Sequence, residues 1–271
     1  MKRFNYYDHI AKIYDQTRWF DGVLAVEIAD FLLALVQATP ATTFLEPGIG
    51  TGLNVLPLVK QGYAVTGMDI SAAMLQQCCR KLGDRPANLT LIQGDASTLP
   101  LPDQSFDVVL TVHLTHAVSN VATFADEIHR VLRPGGFLLN AQWLVPPARL
   151  EFENHFRVIA AKHGQPITLF SQPKRLETDV ELEQYLLKKG YRKKHHLVKE
   201  WTVENTVEEL LHNFQLRAYG FCWRIEDAAF EQIMENFTTF CLEHYNSLSA
   251  ELSSPAKYEL WSYRKPEFKD S

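Results

Sequence analysis

The chain has 271 residues, 46% of them hydrophobic, and its 27 basic and 32 acidic side chains leave a net charge of −5. That is enough apolar material for one large core or two smaller ones, and the acidic balance (pI near 6.1) argues against a nucleic-acid polyanion as partner. The longest apolar run, Phe31 to Val36, is too short to cross a bilayer, and no signal-peptide apolar run follows Lys2 and Arg3. Cys78, Cys79, Cys222 and Cys241 show no C-x-x-C spacing. The adjacent pair suits a buried helix face better than a disulfide, so a reducing, cytoplasmic setting is expected.

Residues 5 to 19 read as a short helix with Tyr7, Ile10, Ala11 and Tyr14 on one stripe. A second helix begins near Asp21, carries Leu24, Ile28, Phe31, Leu32 and Leu35, and ends before Pro40. Strands and helices then alternate to about residue 144, which implies βαβ units and a parallel sheet. Thr42–Leu45 is the first strand, a helical pattern at Leu53, Leu56 and Val59 follows, and Pro57 should kink that helix or shift its start. After Pro146-Pro147 the alternation breaks. A helix over Ala148–Lys162 and a loop through Gln165-Pro166 and Gln172-Pro173 precede a helix over Glu177–Lys189. A strand near Tyr191–Trp201 carries the basic run Arg192–His196 toward both faces, as solvated surface. Helical patterns at Val207–Tyr219 and Glu226–His244 separate it from a final strand in Lys257–Tyr263.

The chemistry starts in Leu45-Glu46-Pro47-Gly48-Ile49-Gly50-Thr51-Gly52, between the first strand and the helix after it. Glycines there let the backbone turn sharply and leave room for a ligand against bare main chain. The next helix offers unpaired N–H groups. Asp69 closes the apolar run Ala64–Met68, where an acid can bind a ribose diol. These features point to a nucleoside cofactor at the strand ends of a Rossmann-like sheet. A dinucleotide fingerprint needs glycine or alanine at position 53, which is Leu53, so a NAD-dependent oxidoreductase is the lesser alternative. Glu46 and Asp69 could instead cap the helices that follow them, and Asp95 could serve an Asx-turn before Ser97-Thr98. Three acids at successive strand ends favour a shared ligand.

The pattern Glu46-x-Gly48-x-Gly50-x-Gly52 resembles motif I of the class I S-adenosylmethionine (SAM) methyltransferases, of the small-molecule type similar to the quinone-biosynthesis enzymes. Further segments follow in that family's order: Asp69-Ile70, Gly94-Asp95-Ala96, Leu99 to Leu110, and Val131-Leu132-Arg133-Pro134-Gly135-Gly136-Phe137. The resemblance implies an α/β, Rossmann-like, doubly wound sheet of seven mostly parallel strands, with an antiparallel last strand and a helical cap. On that template residues 1–40 are an N-terminal helical cap, 41–147 the SAM-binding core, and 148–176 a cap insertion. Residues 177–203 add a core helix and strand, 204–254 a second cap insertion, and 255–271 the last core strand and tail.

The resemblance also implies roles. Gly48, Gly50 and Gly52 pass under the cofactor, Glu46 helps hold its ammonium group, and Asp69 binds its ribose. Ile70 and Met74 pack against the adenine, and Asp95 with Ala96 meets its exocyclic amine. Arg18 pairs with the methionine carboxylate and Tyr14 or Tyr7 closes a lid; the tyrosines could equally be core packing. His113 and His116, just past the fourth strand, lie beside the transferring methyl group, and His113 also contacts the methionine portion. Either histidine could act as general base near neutral pH or be a polar liner of the cavity. No third ligand supports a metal at His-x-x-His. Aromatics of the insertions, among them Phe152, Phe156, Phe170, Trp201, Phe214, Tyr219, Phe221 and Trp223, are either cap core or the lining of an apolar acceptor pocket.

The expected activity is methyl transfer from SAM, leaving S-adenosyl-L-homocysteine, to a small apolar or aromatic acceptor at O, C or N by in-line displacement. A non-catalytic SAM-binding or regulatory protein is the alternative. A propylamine transferase would need an acidic polyamine site, which the sequence lacks. No N-P-P-Y-type signature stands after the fourth strand, against methylation of DNA adenine or protein glutamine.

Overall fold

Strands β1 (Thr43–Pro47), β2 (Ala64–Asp69), β3 (Leu89–Gln93), β4 (Phe106–Val112) and β5 (Leu132–Leu144) pair in parallel and form most of a seven-stranded sheet. With β6 (Arg192–Thr206) and β7 (Glu251–Arg264) the order is β3-β2-β1-β4-β5-β7-β6, the last strands being antiparallel. This is the expected Rossmann-like, mostly parallel class. The computed structural model describes residues 6–83, 86–165, 168–170 and 175–267. Lys2, Arg3, Pro166, Gln172 and Pro173, used in the sequence reading, lie outside them.

The chain divides into two compact units. The first contains the described residues through Trp143, Arg175–Lys199 and those from Tyr258 on. Its central strands are covered on both faces, so they read as continuous apolar runs. Leu45, Met68, Val109 and Leu138 are fully enclosed, packed with Phe124, Ile128 and Leu182. Local capping sets the helix starts. After the short α1 (Tyr6–Ile10), Asp21 caps α2 (Gly22–Val36) through Val23 and Leu24; after the short α3 (Leu56–Lys60), Ser71 caps α4 (Ala72–Leu82), and Asn120 caps a later helix over Val121–Val131. The N-terminal residues group with the sheet in this unit rather than with the insertions. The edge strand β6 exposes Arg192, Lys193, Lys194 and His195, charges that blunt edge-to-edge pairing.

Several boundaries differ from the sequence reading, among them that the strand expected near Tyr191–Trp201 runs on to Thr206 and the helix expected over Val207–Tyr219 ends at Gln215. The single helix expected over 5–19 is a short helix, Tyr6–Ile10, and a 3-10 turn, Asp15–Thr17. The first crossover helix is only Leu56–Lys60, with Pro57 in its first turn, so Leu53 lies outside it. Proline has no N–H to donate and its fixed φ suits a helix start, which moved the start downstream. The last strand begins at Glu251, six residues before the alternation in Lys257–Tyr263, because Ser253-Ser254-Pro255 hides its pattern.

The second unit contains the described residues between Leu144 and Phe170 and Glu200–Lys257. It is helical: Pro147–Lys162, Val207–Gln215 and Asp227–Tyr245 pack through Phe152, Phe156, Phe214 and Phe237, all fully buried. Their rings meet at centroid distances of 4.4 Å (Phe156–Phe214) and 5.1 Å (Phe152–Phe237). These aromatics, with Tyr219, are therefore core, which decides between the two uses expected of them. Thr206 and Glu209 close a capping box at the start of the Val207–Gln215 helix.

Candidate active site

The strand order reverses between β1 and β4, and in open α/β sheets that reversal leaves a crevice at the carboxyl ends of the strands. A cavity lies there, entirely within the first unit. The loop after β1 contributes Gly48 and Gly50, the end of β2 Asp69 and Ile70, and the turn after β3 Gly94, Asp95 and Ala96. The end of β4 adds Val112, His113 and Leu114, α4 adds Met74, and the N-terminal segment adds Tyr7 and Tyr14.

The glycine loop is folded back onto β2. Gly48 and Ile49 donate their N–H groups to the Met68 carbonyl at 2.7 and 2.9 Å, and Gly50 donates to Asp69 Oδ2 at 2.8 Å. Asp69 Oδ1 accepts from the Ser71 N–H at 2.8 Å, so one carboxylate ties the loop to the start of α4. Gly48 and Gly50 have φ of 74° and 54°, a region costly to any side chain. A Cβ on Gly48 would meet Leu114 Cδ1 at 2.7 Å, whereas one on Gly50 would meet no protein atom within 4 Å. The bare main chain of Gly50 therefore faces open cavity. The expected helix N-terminus does not: three residues separate Gly52 from the helix starting at Leu56, and none of that helix lines the cavity.

The N-terminal segment is pinned beside this loop. The Ser71 hydroxyl donates to Asp8 Oδ1 at 2.5 Å, the Thr51 hydroxyl donates to Asp15 Oδ1 at 2.6 Å, and Lys81 pairs with Asp15. Arg18 lies over the Tyr14 ring at 4.1 Å, and its Nε is buried with no hydrogen-bond partner.

The acids differ in state. Glu46 is 1% exposed, and burial raises its pKa well above the ordinary range against the opposing Asn54 bond at 3.0 Å. Its second oxygen, Oε2, has no partner. Burial also raises the Asp69 pKa, opposed by the N–H groups of Ser71 and Gly50. Asp95 accepts from the Ser97 N–H at 2.8 Å, the Asx-turn anticipated for it, while also lining the cavity. His113 Nε2 accepts the Trp143 N–H at 2.8 Å. Desolvation first, then the Arg18 and His116 charges, depress His113 to about 3, so its ring is neutral at physiological pH. Behind it, Asp179 accepts from Thr115 at 2.7 Å and from Asn140 at 2.8 Å, and Asn140 accepts from Thr111 at 2.8 Å. This buried network fixes the turn after β4.

The structure thus brings together at one cavity Tyr14, Gly48, Gly50, Asp69, Ile70, Met74, Asp95, Ala96 and His113 of the residues singled out in the sequence. Glu46 and Gly52 sit behind the loop, Arg18 beside Tyr14, and His116 on the following turn with an exposed side chain. The lining residues Leu114, Ala117, Val118 and Ser119 went unrecognised; their only signal was adjacency to His113 after a strand end. The anchors Asp8–Ser71 and Asp15–Thr51 join residues 63 and 36 positions apart and left no sequence signal.

Residues 45–140 match the family model described as a methyltransferase domain. A demethylmenaquinone methyltransferase of Tropheryma whipplei (strain Twist) is 36% identical over 145 residues, covering 52% of this chain and 58% of the relative. The chain therefore spans under two thirds of the curated relative's length. Among solved structures, YcgJ of Bacillus subtilis superposes with a TM-score of 0.56 at 18% identity, over 90% of this chain and 99% of YcgJ. A phosphoethanolamine N-methyltransferase 2 of Haemonchus contortus, solved with phosphomonomethylethanolamine and S-adenosylhomocysteine, superposes with a TM-score of 0.54 at 18% identity, over 98% of this chain and 59% of that one. These two likenesses concern the fold. No helix among the described residues is long and apolar enough to cross a membrane. Residues 45–140 are thus similar to a methyltransferase domain, and that stretch holds Gly48, Gly50, Asp69 and Asp95 of the cavity at the strand-order reversal.

Proposed function

We propose that the protein transfers a methyl group from SAM to a small apolar or aromatic acceptor by in-line displacement. The single observation that carries this reading is the convergence of Asp69, Asp95 and the bare Gly50 main chain on one cavity at the strand-order reversal. The residues fit the cofactor on two counts. The space above Gly50 is one that a Cβ would fill, and Glu46 Oε2 is a buried polar atom without a partner.

When bound, SAM supplies a methyl group already activated by the positive charge on its sulfur. The chain has to bind, align and exclude water. A carboxylate has about four lone-pair sites, and Asp69 spends one on Gly50 and one on Ser71. It keeps capacity to accept from a ribose diol. Ile70, 55% exposed although apolar, offers with Met74 a face for an adenine ring, and Asp95 and Ala96 take its polar edge. Gly48, Gly50 and Gly52 shape the loop beneath, Glu46 stands behind it for the ammonium group, and Arg18 with Tyr14 closes on the carboxylate. His113 and His116 stand after β4 at the methyl-transfer end. With its Nε2 engaged, His113 is a neutral liner there, and His116, whose pKa is lowered by desolvation against the opposing Asp179 charge, is the base candidate of the pair. The relative's name, demethylmenaquinone methyltransferase, supports an apolar, aromatic acceptor.

Calorimetric titration with S-adenosylhomocysteine tests the reading, followed by turnover of SAM with a demethylated quinol. Binding is expected, and Asp69→Ala should weaken it by about tenfold or more, since each charge-assisted hydrogen bond lost is worth about 1.5–3 kcal/mol. Binding of NADH with no response to S-adenosylhomocysteine would overturn it. Binding without turnover of any acceptor would favour the non-catalytic alternative.

A further inference from the structure

His113 has a left-handed backbone, φ 50°, held by its own N–H on the Ala141 carbonyl at 3.3 Å and by its ring on the Trp143 N–H. A ring nitrogen that accepts a hydrogen bond carries no proton, so the neutral imidazole puts its hydrogen on Nδ1. His113 is a lining residue of the cavity, and its second ring nitrogen is a donor.

Two more donors gather around it. Trp143 is 5% exposed, its ring lies 5.5 Å from the His113 ring and stacks on Phe20 at 4.9 Å, and its Nε1 is buried without an acceptor. Arg18, which lies over the cavity-lining Tyr14 ring at 4.1 Å, has a buried Nε that is also without an acceptor. Indole and guanidinium can donate and cannot accept, and a buried donor left unpaired is costly. Their shared complement is an oxygen carrying negative charge.

We propose that His113 Nδ1–H, Trp143 Nε1–H and Arg18 Nε–H, the terminal NH2 groups of Arg18 being left for the methionine carboxylate, form a donor set that binds an oxyanion of the methyl acceptor. The acceptor is then an acidic hydroxyl compound or carboxylic acid, held as its phenolate, enolate or carboxylate. The inference rests on the methyl-transfer reading above and narrows its acceptor class. The acceptor's proton leaves to His116 or to solvent, because none of the three groups has a free lone pair to receive it. The other titratable groups at this end are His116, felt by His113, Tyr14 beneath Arg18, and Tyr7 and Asp69 in the cavity wall.

The test uses 4-nitrophenol, whose phenolate absorbs separately from the phenol, titrated with pH in the presence of protein and S-adenosylhomocysteine. Binding should lower the probe's pKa by about one unit, as one charge-assisted hydrogen bond predicts. Trp143→Phe, which keeps the ring stack but removes the indole N–H, should return at least half of that shift. An unshifted or raised pKa, or no binding of the probe, overturns the proposal. Because Trp143→Phe could fail to fold, 4-nitroanisole is titrated against the unaltered protein as well. It should bind about tenfold more weakly than the phenolate, and equal binding also overturns the proposal. Calorimetry with S-adenosylhomocysteine on the same samples separates the two levels: bound nucleoside with an unshifted probe sinks the donor set alone, and no bound nucleoside sinks the methyl-transfer reading.

Discussion

Replacing Gly50 by alanine separates the cost of a strained turn from the cost of a filled ligand site. Gly50 has φ 54°, where an L-residue costs about 1–2 kcal/mol, so folding should lose about that much. For a domain of this size such a loss lowers Tm by roughly 2–8 °C, at about 2–4 °C per kcal/mol. No steric term adds to it, because the new Cβ meets no protein atom within 4 Å. The methyl group instead enters the cavity beside the Asp69 carboxylate that accepts the Gly50 N–H. Overpacking a fitted site by one methyl costs typically about 1–3 kcal/mol, hence about 5- to 150-fold in affinity for S-adenosylhomocysteine. Gly48→Ala is the control: its Cβ strikes Leu114 Cδ1 at 2.7 Å, so stability should fall further while the cavity is filled less directly. Thermal melts give the first quantity and calorimetry the second. A Gly50→Ala protein that binds the nucleoside within threefold of the parent refutes the placement of the ligand over this loop.

Other expectations follow from single contacts. Tyr258 is fully buried and its hydroxyl has no partner, so Tyr258→Phe should leave Tm unchanged or raise it by about 2–4 °C, and a clear fall would show an unseen partner. Glu183 accepts from Arg175 at 2.5 Å, Lys193 at 2.6 Å and Tyr263 at 2.9 Å; burial would raise its pKa, but these contacts outweigh it and depress it from 4.5 to about 2. A depressed folded-state value stabilises the protein above pH 4.5 and is lost as pH falls toward 2, so Glu183→Gln should flatten acid unfolding in that window; an unchanged profile would deny the carboxylate this role. Asp15→Asn weakens the pairing with Lys81 and Thr51, and hydrogen exchange over residues 6–18 should accelerate while the β1 and β4 amides stay protected. Equal protection of both regions would mean that Asp15 does not anchor the segment.

How far the sequence carried differs between the strands and the contacts around them. Ala64–Asp69 was legible residue for residue, since a strand inside the sheet must be an apolar run and its polar end marks where it stops. The same periodicity placed the helices after residue 146, because one buried stripe per helix is a local property of the chain. Pro57 was read as a break, but whether it would kink the helix or move its start depended on the turn packed before it.

The amino-acid order by itself determined which residues turn, which are apolar and where three acids fall relative to strand ends, for these follow from backbone sterics and from hydrophobic spacing along the chain. Only the tertiary structure decided that His113 spends Nε2 on a backbone N–H, that Asp8 and Asp15 hold the N-terminal segment to Ser71 and Thr51, and that the phenylalanines of the insertions form a core. The reason is physical. Hydrogen bonds and ring contacts between positions tens of residues apart depend on where the folded backbone carries them, and no local propensity encodes that distance.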